Sequence, residues 1–253
     1  MTGVWVHAVA GTAGASTAHG INDTAVRWVG AGGLFAVVSP VDVEDYEPDR
    51  LEQHLSDLEW LERTAHEHHR VVTAAAAAGP VVPAALATVY HDEARLVDDL
   101  TRHRDELTAA LDRVAGRTEW GVKAYARFDA PVDAPAAGGG PGTAYLHRRR
   151  TELATREQRY EQATEAADAV HEELSAHAVL ARQHPPQHPQ LSGAEDVTVL
   201  NGAYLVDDDR TAEFERAVEA LGARETTLRL ELTGPWPPYS FAAAPALRAG
   251  VAS

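Results

Sequence analysis

The chain has 253 residues, 45% of them apolar and 24% charged, with a formal net charge of -16, 13 histidines and no cysteine. That length suits one large domain or two small ones, each able to bury a core. The missing cysteines exclude disulfides, thiol catalysis and Cys-based zinc sites, and the acidic balance argues against general binding of nucleic acid or an anionic membrane, since phosphate binders carry a basic face.

No apolar run reaches the roughly 18–20 residues of a membrane helix. Met1–Val9 has no basic flank, so it reads as a first strand rather than a secretory leader. Val4–Val9 is that strand, residues 10–25 a loop, and Val26–Val29 a short second strand. Leu34–Val38 is a continuous apolar run that suits a buried strand, ended by Ser39-Pro40. A helix starts at Pro48 and runs to Gly79-Pro80, with Leu51, Leu55, Leu58, Ala65 and Val72 on one face. Pro80–Pro83 reads as a short extended piece, an edge strand or a crossover, that Thr88–Tyr90 continues. Val97, Leu100, Leu107, Leu111 and Val114 then mark a second amphipathic helix, with Gly116 capping its end.

In the second half, Trp120, Val122, Ala124, Ala126 and Phe128 alternate with polar residues and predict a half-buried strand. Residues 129–142 are rich in Pro, Ala and Gly and read as a long loop. From Ala144 to about Gln183 the pattern predicts a long helix: Leu146, Leu153, Tyr160, Ala167, Leu174 and Ala181 recur every seven residues with Ala163, Val170 and His177 between them, and Leu146, Leu153, Tyr160, Val170 and Leu174 are expected inward. The only basic run, His147–Arg150, sits at its start. His184-Pro185-Pro186 ends it. Val197–Val206 is a strand apolar on both faces. Asp207–Asp209 turns into a short helix marked by Phe214, Val218 and Leu221, and Thr227–Leu232 alternates as a last strand. The Ala-rich tail is expected to fray or add a helical turn. The order of elements is β-α-β-α-β, one strand short of the split β-α-β, ferredoxin-like plan. The expected fold is therefore α+β in two domains, 1–117 and 118–253. The second is a modified ferredoxin-like domain with a long amphipathic helix and a Pro/aromatic C-terminal arm.

The chemical motifs are weak. Gly30–Gly33 precedes a strand, whereas a phosphate loop needs glycines between strand and helix. His66-Glu67-His68-His69 lacks the second His four residues on that a zinc helix requires, because Arg70 stands there. Solvated or capping histidines are the expectation. The acids at 42–49 and 207–209 read as solvated turns and helix caps. No nucleophile is marked by a base, and no catalytic residue, cofactor or metal is expected. The segment Leu232–Phe241 differs: Pro235, Pro237 and Pro238 remove backbone donors, so the chain must leave the sheet as a stiff arm carrying Trp236, Tyr239 and Phe241. Trp236 is expected to pack inward near Leu228–Leu232, with Tyr239 and Phe241 free to dock elsewhere.

Thr233–Phe241 after a strand resembles the C-terminal signature of the gas vesicle protein GvpL/GvpF family. Four other stretches agree in order: Asp57–Leu61 with His68 before Val71-Val72; Val82-Pro83 leading to Ala87–Tyr90; Gly140–Leu146; and Leu200–Val206. The resemblance spans Val4 to Phe241. One departure stands at Ala84-Ala85, where the family commonly has Leu-Arg. Membership implies two α+β domains and a role in building the vesicle shell, through contacts with the main shell protein and other accessory proteins, in the cytoplasm beside the vesicle. It implies no catalytic activity or cofactor. The residues it marks as candidates for partner binding are Trp60, His68, Tyr90, Tyr145, Asn201, Tyr204, Trp236, Tyr239 and Phe241. From the residues alone, an enzyme or small-molecule sensor on a ferredoxin-like scaffold remains the alternative, because that fold hosts many functions.

Overall fold

The computed structural model describes residues 1–14, 18–127, 141–185, 197–242 and 250–252, with the side chains of all but 141–156 and 250–252. Ten strands and six α-helices follow one another among the described residues. They are β1 Thr2–Ala10, β2 Arg27–Ala31, β3 Leu34–Asp42, α1 Pro48–Ser56, α2 Leu58–Ala76, β4 Val81–Pro83, β5 Thr88–Tyr90, α3 Glu93–Arg102, α4 Arg104–Val114, β6 Arg117–Ala126, α5 Pro141–Ser175, β7 Leu180–Gln183, β8 Val197–Asp207, α6 Thr211–Arg224, β9 Leu228–Trp236 and β10 Gly250–Ala252. They form two compact units, Met1–Glu119 with Pro235–Ser253, and Trp120–Gly234.

In the first unit the strand order is β10-β5-β1-β3-β2, with β4 also pairing β1. β1 is central, antiparallel to β3, β4 and β5, and its residues from Gly3 to Ala10 are buried. β3 runs through Pro40 to Asp42, past its expected end. β2 pairs only as far as Val38, so the donor missing at Pro40 falls where β3 has no β2 neighbour. The tail adds β10, parallel to β5, rather than a helical turn.

Both long helices expected in this unit are broken. Asp57 separates α1 from α2, and its carboxylate accepts the Glu59 and Trp60 amides as an N-cap. The break resets the helical phase. Leu55 and Leu58 are exposed, at 48% and 72%, and Ala65 is exposed as well. The buried face of α2 is Thr64, His68, Val71, Val72 and Ala75. His103, outside helical geometry, likewise separates α3 from α4, so Leu96 takes the buried place expected for Val97. Gly116, at φ +67, follows α4 in the left-handed conformation that ends a helix.

The second unit has a four-stranded sheet ordered β7-β8-β6-β9. The alternation of β6 holds, with Trp120, Val122, Ala124 and Ala126 buried. Phe128 and the loop from 129 to 140 lie outside the described residues. α5 ends at Ser175, and the last residues expected in it form β7, an edge strand antiparallel to β8. All four residues of β7 are exposed, so no apolar alternation announced it. Among the described side chains of α5 the inward stripe is Ala163, Ala167, Val170 and Leu174, whereas Tyr160 is 44% exposed; the side chains of Leu146 and Leu153 lie outside those described. The stripe packs with Phe214, Val218 and Leu221 of α6 and with β6 and β8 into one core.

Candidate functional site

The first unit gathers an aromatic and histidine cluster around β1. His7 is the extra residue of a bulge in β1: Val6 lies opposite Val38 and Ala8 opposite Val37. A bulge re-aims the side chain it carries. His7 Nε2 lies 2.9 Å from Ser39 Oγ, and its carbonyl accepts the Ala84 amide. Its ring stacks on His68 of α2, centroids 5.2 Å apart. Trp5 Nε1 donates to His68 Nδ1 at 3.0 Å, which puts the proton of a neutral His68 on Nε2. Both imidazoles are buried. His7 Nδ1 and His68 Nε2 have no hydrogen-bond partner of good geometry among the described residues.

Burial holds both rings neutral. It pushes His7 well below the usual histidine range, with the neighbouring His68 adding to the fall. It pushes His68 down to about 4, against a partial offset from the nearby Ala84 backbone. The expectation of solvated histidines is thus corrected at His68: position 68 falls at the centre of the buried stripe of α2, which its sequence neighbours 66 and 69 do not share. Ala84 is buried beside this pair, and Ala85 is exposed.

The C-terminal arm lies in the same unit. Glu119, 7% exposed, accepts the Ser240 amide at 2.8 Å and the Ser240 hydroxyl at 2.6 Å. Arg113 donates to the Phe241 carbonyl, and the Phe241 and Ala242 amides both turn back to the Pro238 carbonyl. Phe241, Pro237 and Pro238 are buried. Trp236 does not pack inward: it is 41% exposed and meets His69 edge-on, centroids 5.4 Å apart. Tyr239, 38% exposed, brings its hydroxyl to 3.2 Å from His69 Nδ1. Its phenol is pushed up by burial and by the Glu119 charge. These anchors tie the arm to Met1–Glu119, whereas the sequence predicts it in a domain running from 118 to 253.

The candidates therefore separate. Trp60 stacks flat on His54 at 4.6 Å and reaches Tyr46, which meets Trp5 edge-on. His68 and Tyr239 are 6.5 Å apart, so a chain of rings links Trp60, Tyr46, Trp5, His68 and Tyr239. Phe241 is buried further along the arm. Tyr90 is buried on β5, its hydroxyl donating to Asp99. Tyr204 is buried in the second unit, 2.8 Å from His171 Nδ1 and against Phe214. Gly202 of the same strand is required there, because a Cβ would meet the Tyr204 ring at 2.8 Å. Asn201 accepts the His184 amide through its carbonyl. Tyr145 lies on α5, its side chain outside those described. Sequence reasoning missed Trp5, His7, Tyr46, Glu119 and Ser240, and read His69 only as part of a failed metal motif. Only the Trp and His residues inside apolar runs carried any signal. No group of three or more metal-ligating side chains converges among the described residues, and no described helix is long and apolar enough to cross a membrane.

One unit with a sheet closed by an anchored aromatic arm, and a second unit with a four-stranded sheet and two helices, define a two-sheet α+β protein. The profile of the family described as "Gas vesicle synthesis protein GvpL/GvpF" matches residues 3–243, and the chain belongs to that family. It is 39% identical to Gas vesicle protein L of Streptomyces sp. (strain CB03234) over 230 residues, 89% of this chain and 86% of that one. Gas vesicle protein F of the same strain is 30% identical over 233 residues, 85% and 87% of the two chains. The fold matches the crystal structure of GvpF from Anabaena sp. PCC7120 at a TM-score of 0.69 and 18% identity, covering 96% and 97% of the two chains. GvpF from Microcystis aeruginosa matches at 0.66 and 18%, covering 96% and 99%.

Proposed function

We propose that this chain is an accessory protein of gas vesicle formation, needed for assembly or present as a minor component of the shell. It works through protein–protein contacts and not as an enzyme. Its partners are the main shell protein and other gas vesicle accessory proteins, met in the cytoplasm at the growing vesicle. The names of its relatives and of its family support this role. The higher identity to protein L than to protein F of one strain supports a place on the L side of the family. The second unit reads as a modified ferredoxin-like domain. Its elements run β6-α5-β7-β8-α6-β9, with β6 and β8 central and β7 and β9 at the edges.

The observation that carries the docking role is the pair Trp236 and Tyr239. Both stay more than a third exposed although the segment bearing them is fixed by Glu119 and Arg113. A rigid, exposed Trp–Tyr pair offers apolar area at low entropic cost on binding. The test is co-purification of the shell protein with wild type and with Trp236→Ala/Tyr239→Ala, beside rescue of vesicle formation in cells lacking the gene. Reduced capture and reduced rescue by a folded variant are expected. Full rescue would remove the arm from the docking role.

A further inference from the structure

We propose that the outer edge of β9 pairs two copies of this chain about a two-fold axis through Leu230, joining the sheets of their second units. β9 is the last strand of its sheet. Arg127 donates its amide to the Thr227 carbonyl, the Arg229 guanidinium lies 4.1 Å over the Tyr125 ring, and Thr233 Oγ1 reaches the Gly121 carbonyl. The pairs 127 with 227, 125 with 229 and 121 with 233 share one antiparallel register. With Arg127 and Thr227 a hydrogen-bonded pair, the odd-numbered residues of β9 turn their amides to β6. Leu228, Leu230 and Leu232 turn theirs to the edge that no other described strand covers.

A second β9 added antiparallel with Leu230 opposite Leu230 sets Leu228 opposite Leu232, so every inter-copy ladder bond falls between outward amides. The same register places Arg229 of each copy opposite Glu231 of the other. The two side chains already share one face, 3.4 Å apart within the chain. The edge is thus self-complementary in hydrogen bonding and in charge, the requirement of an isologous interface. Leu228–Leu232 contains no proline that would interrupt the inter-copy ladder. On the other face, Leu230 and Leu232 are only partly buried. They line a groove of about 660 Å³ with Val218, Arg216 and Glu219 of α6. Pairing covers those leucines and brings the two α6 helices to the same side of an eight-stranded sheet.

The test is the concentration-dependent mass of the full chain by analytical ultracentrifugation at moderate salt. Wild type is expected to form a dimer. Arg229→Glu sets four carboxylates across the axis and raises the dimer dissociation constant about tenfold or more. Arg229→Glu/Glu231→Arg restores pairing, because the swapped charges again face each other, and circular dichroism checks that each variant is folded. A wild type that stays monomeric to about 100 µM overturns the proposal. So does a dimer that ignores the single reversal, or one that the double swap fails to rescue.

Discussion

Glu119 and Ser240 are 121 residues apart in sequence, yet one carboxylate accepts both the backbone amide and the hydroxyl of the serine. This double contact closes the first unit around its own C-terminal arm.

Removing it should loosen the arm without unfolding the sheet. Glu119→Ala leaves the Ser240 amide without its charged acceptor and is expected to cost about 2–3 kcal/mol, with Ser240→Ala costing less because the amide contact survives. Urea unfolding monitored by circular dichroism measures both. Equal stability of Glu119→Ala and wild type would show that solvent replaces the contact.

The arm's aromatic residues should rank in the reverse of the order their spacing along the chain suggests. Phe241 is 6% exposed, so Phe241→Ala is expected to cost about 3–5 kcal/mol. Trp236, 41% exposed, buries less of its ring, and Trp236→Ala should cost less than Phe241→Ala, about 1 kcal/mol. Thermal unfolding of the two variants side by side decides it.

The stacked histidines make stability depend on pH in one direction. Burial holds His7 and His68 below the 6.5 of an unfolded histidine, so the unfolded chain binds more protons and stability falls as pH falls. Their contribution is complete above about pH 6.5 and is lost between there and about pH 4 for His68, on the order of 3 kcal/mol from that ring. Denaturant unfolding at pH 7.5 and pH 5 should differ accordingly, and His68→Gln should reduce the difference. A flat profile would mean that the rings accept protons in place.

The cap between α1 and α2 has a separate value. Asp57→Ala removes the acceptor for the Glu59 and Trp60 amides and is expected to destabilise by about 1 kcal/mol, whereas Asp57→Asn should retain most of it. The midpoint of chemical unfolding at neutral pH reports this.

Much of the fold was legible in the sequence. Alternation over Trp120–Ala126, the apolar run at Leu34–Val38 and the periodic Phe214, Val218 and Leu221 each specify an element by a side-chain period that belongs to local backbone geometry. Five short motifs in one order identified the family, because such an order survives where each motif alone carries little information. What periodicity cannot register is pairing at a distance. The bulge that turns His7 onto Ser39 exists only in the register between β1 and β3. β7 is a strand because β8 offers it an edge, not because Leu180–Gln183 alternates. Asp57 as an N-cap and Leu55 as an exposed residue depend on where one helix stops and the next begins, a choice made by the core that α2 must cover. The C-terminal arm reads from sequence as stiff and aromatic because proline chemistry is local. Its destination was decided by a carboxylate at residue 119 and a histidine at residue 69, which only the tertiary fold brings to it.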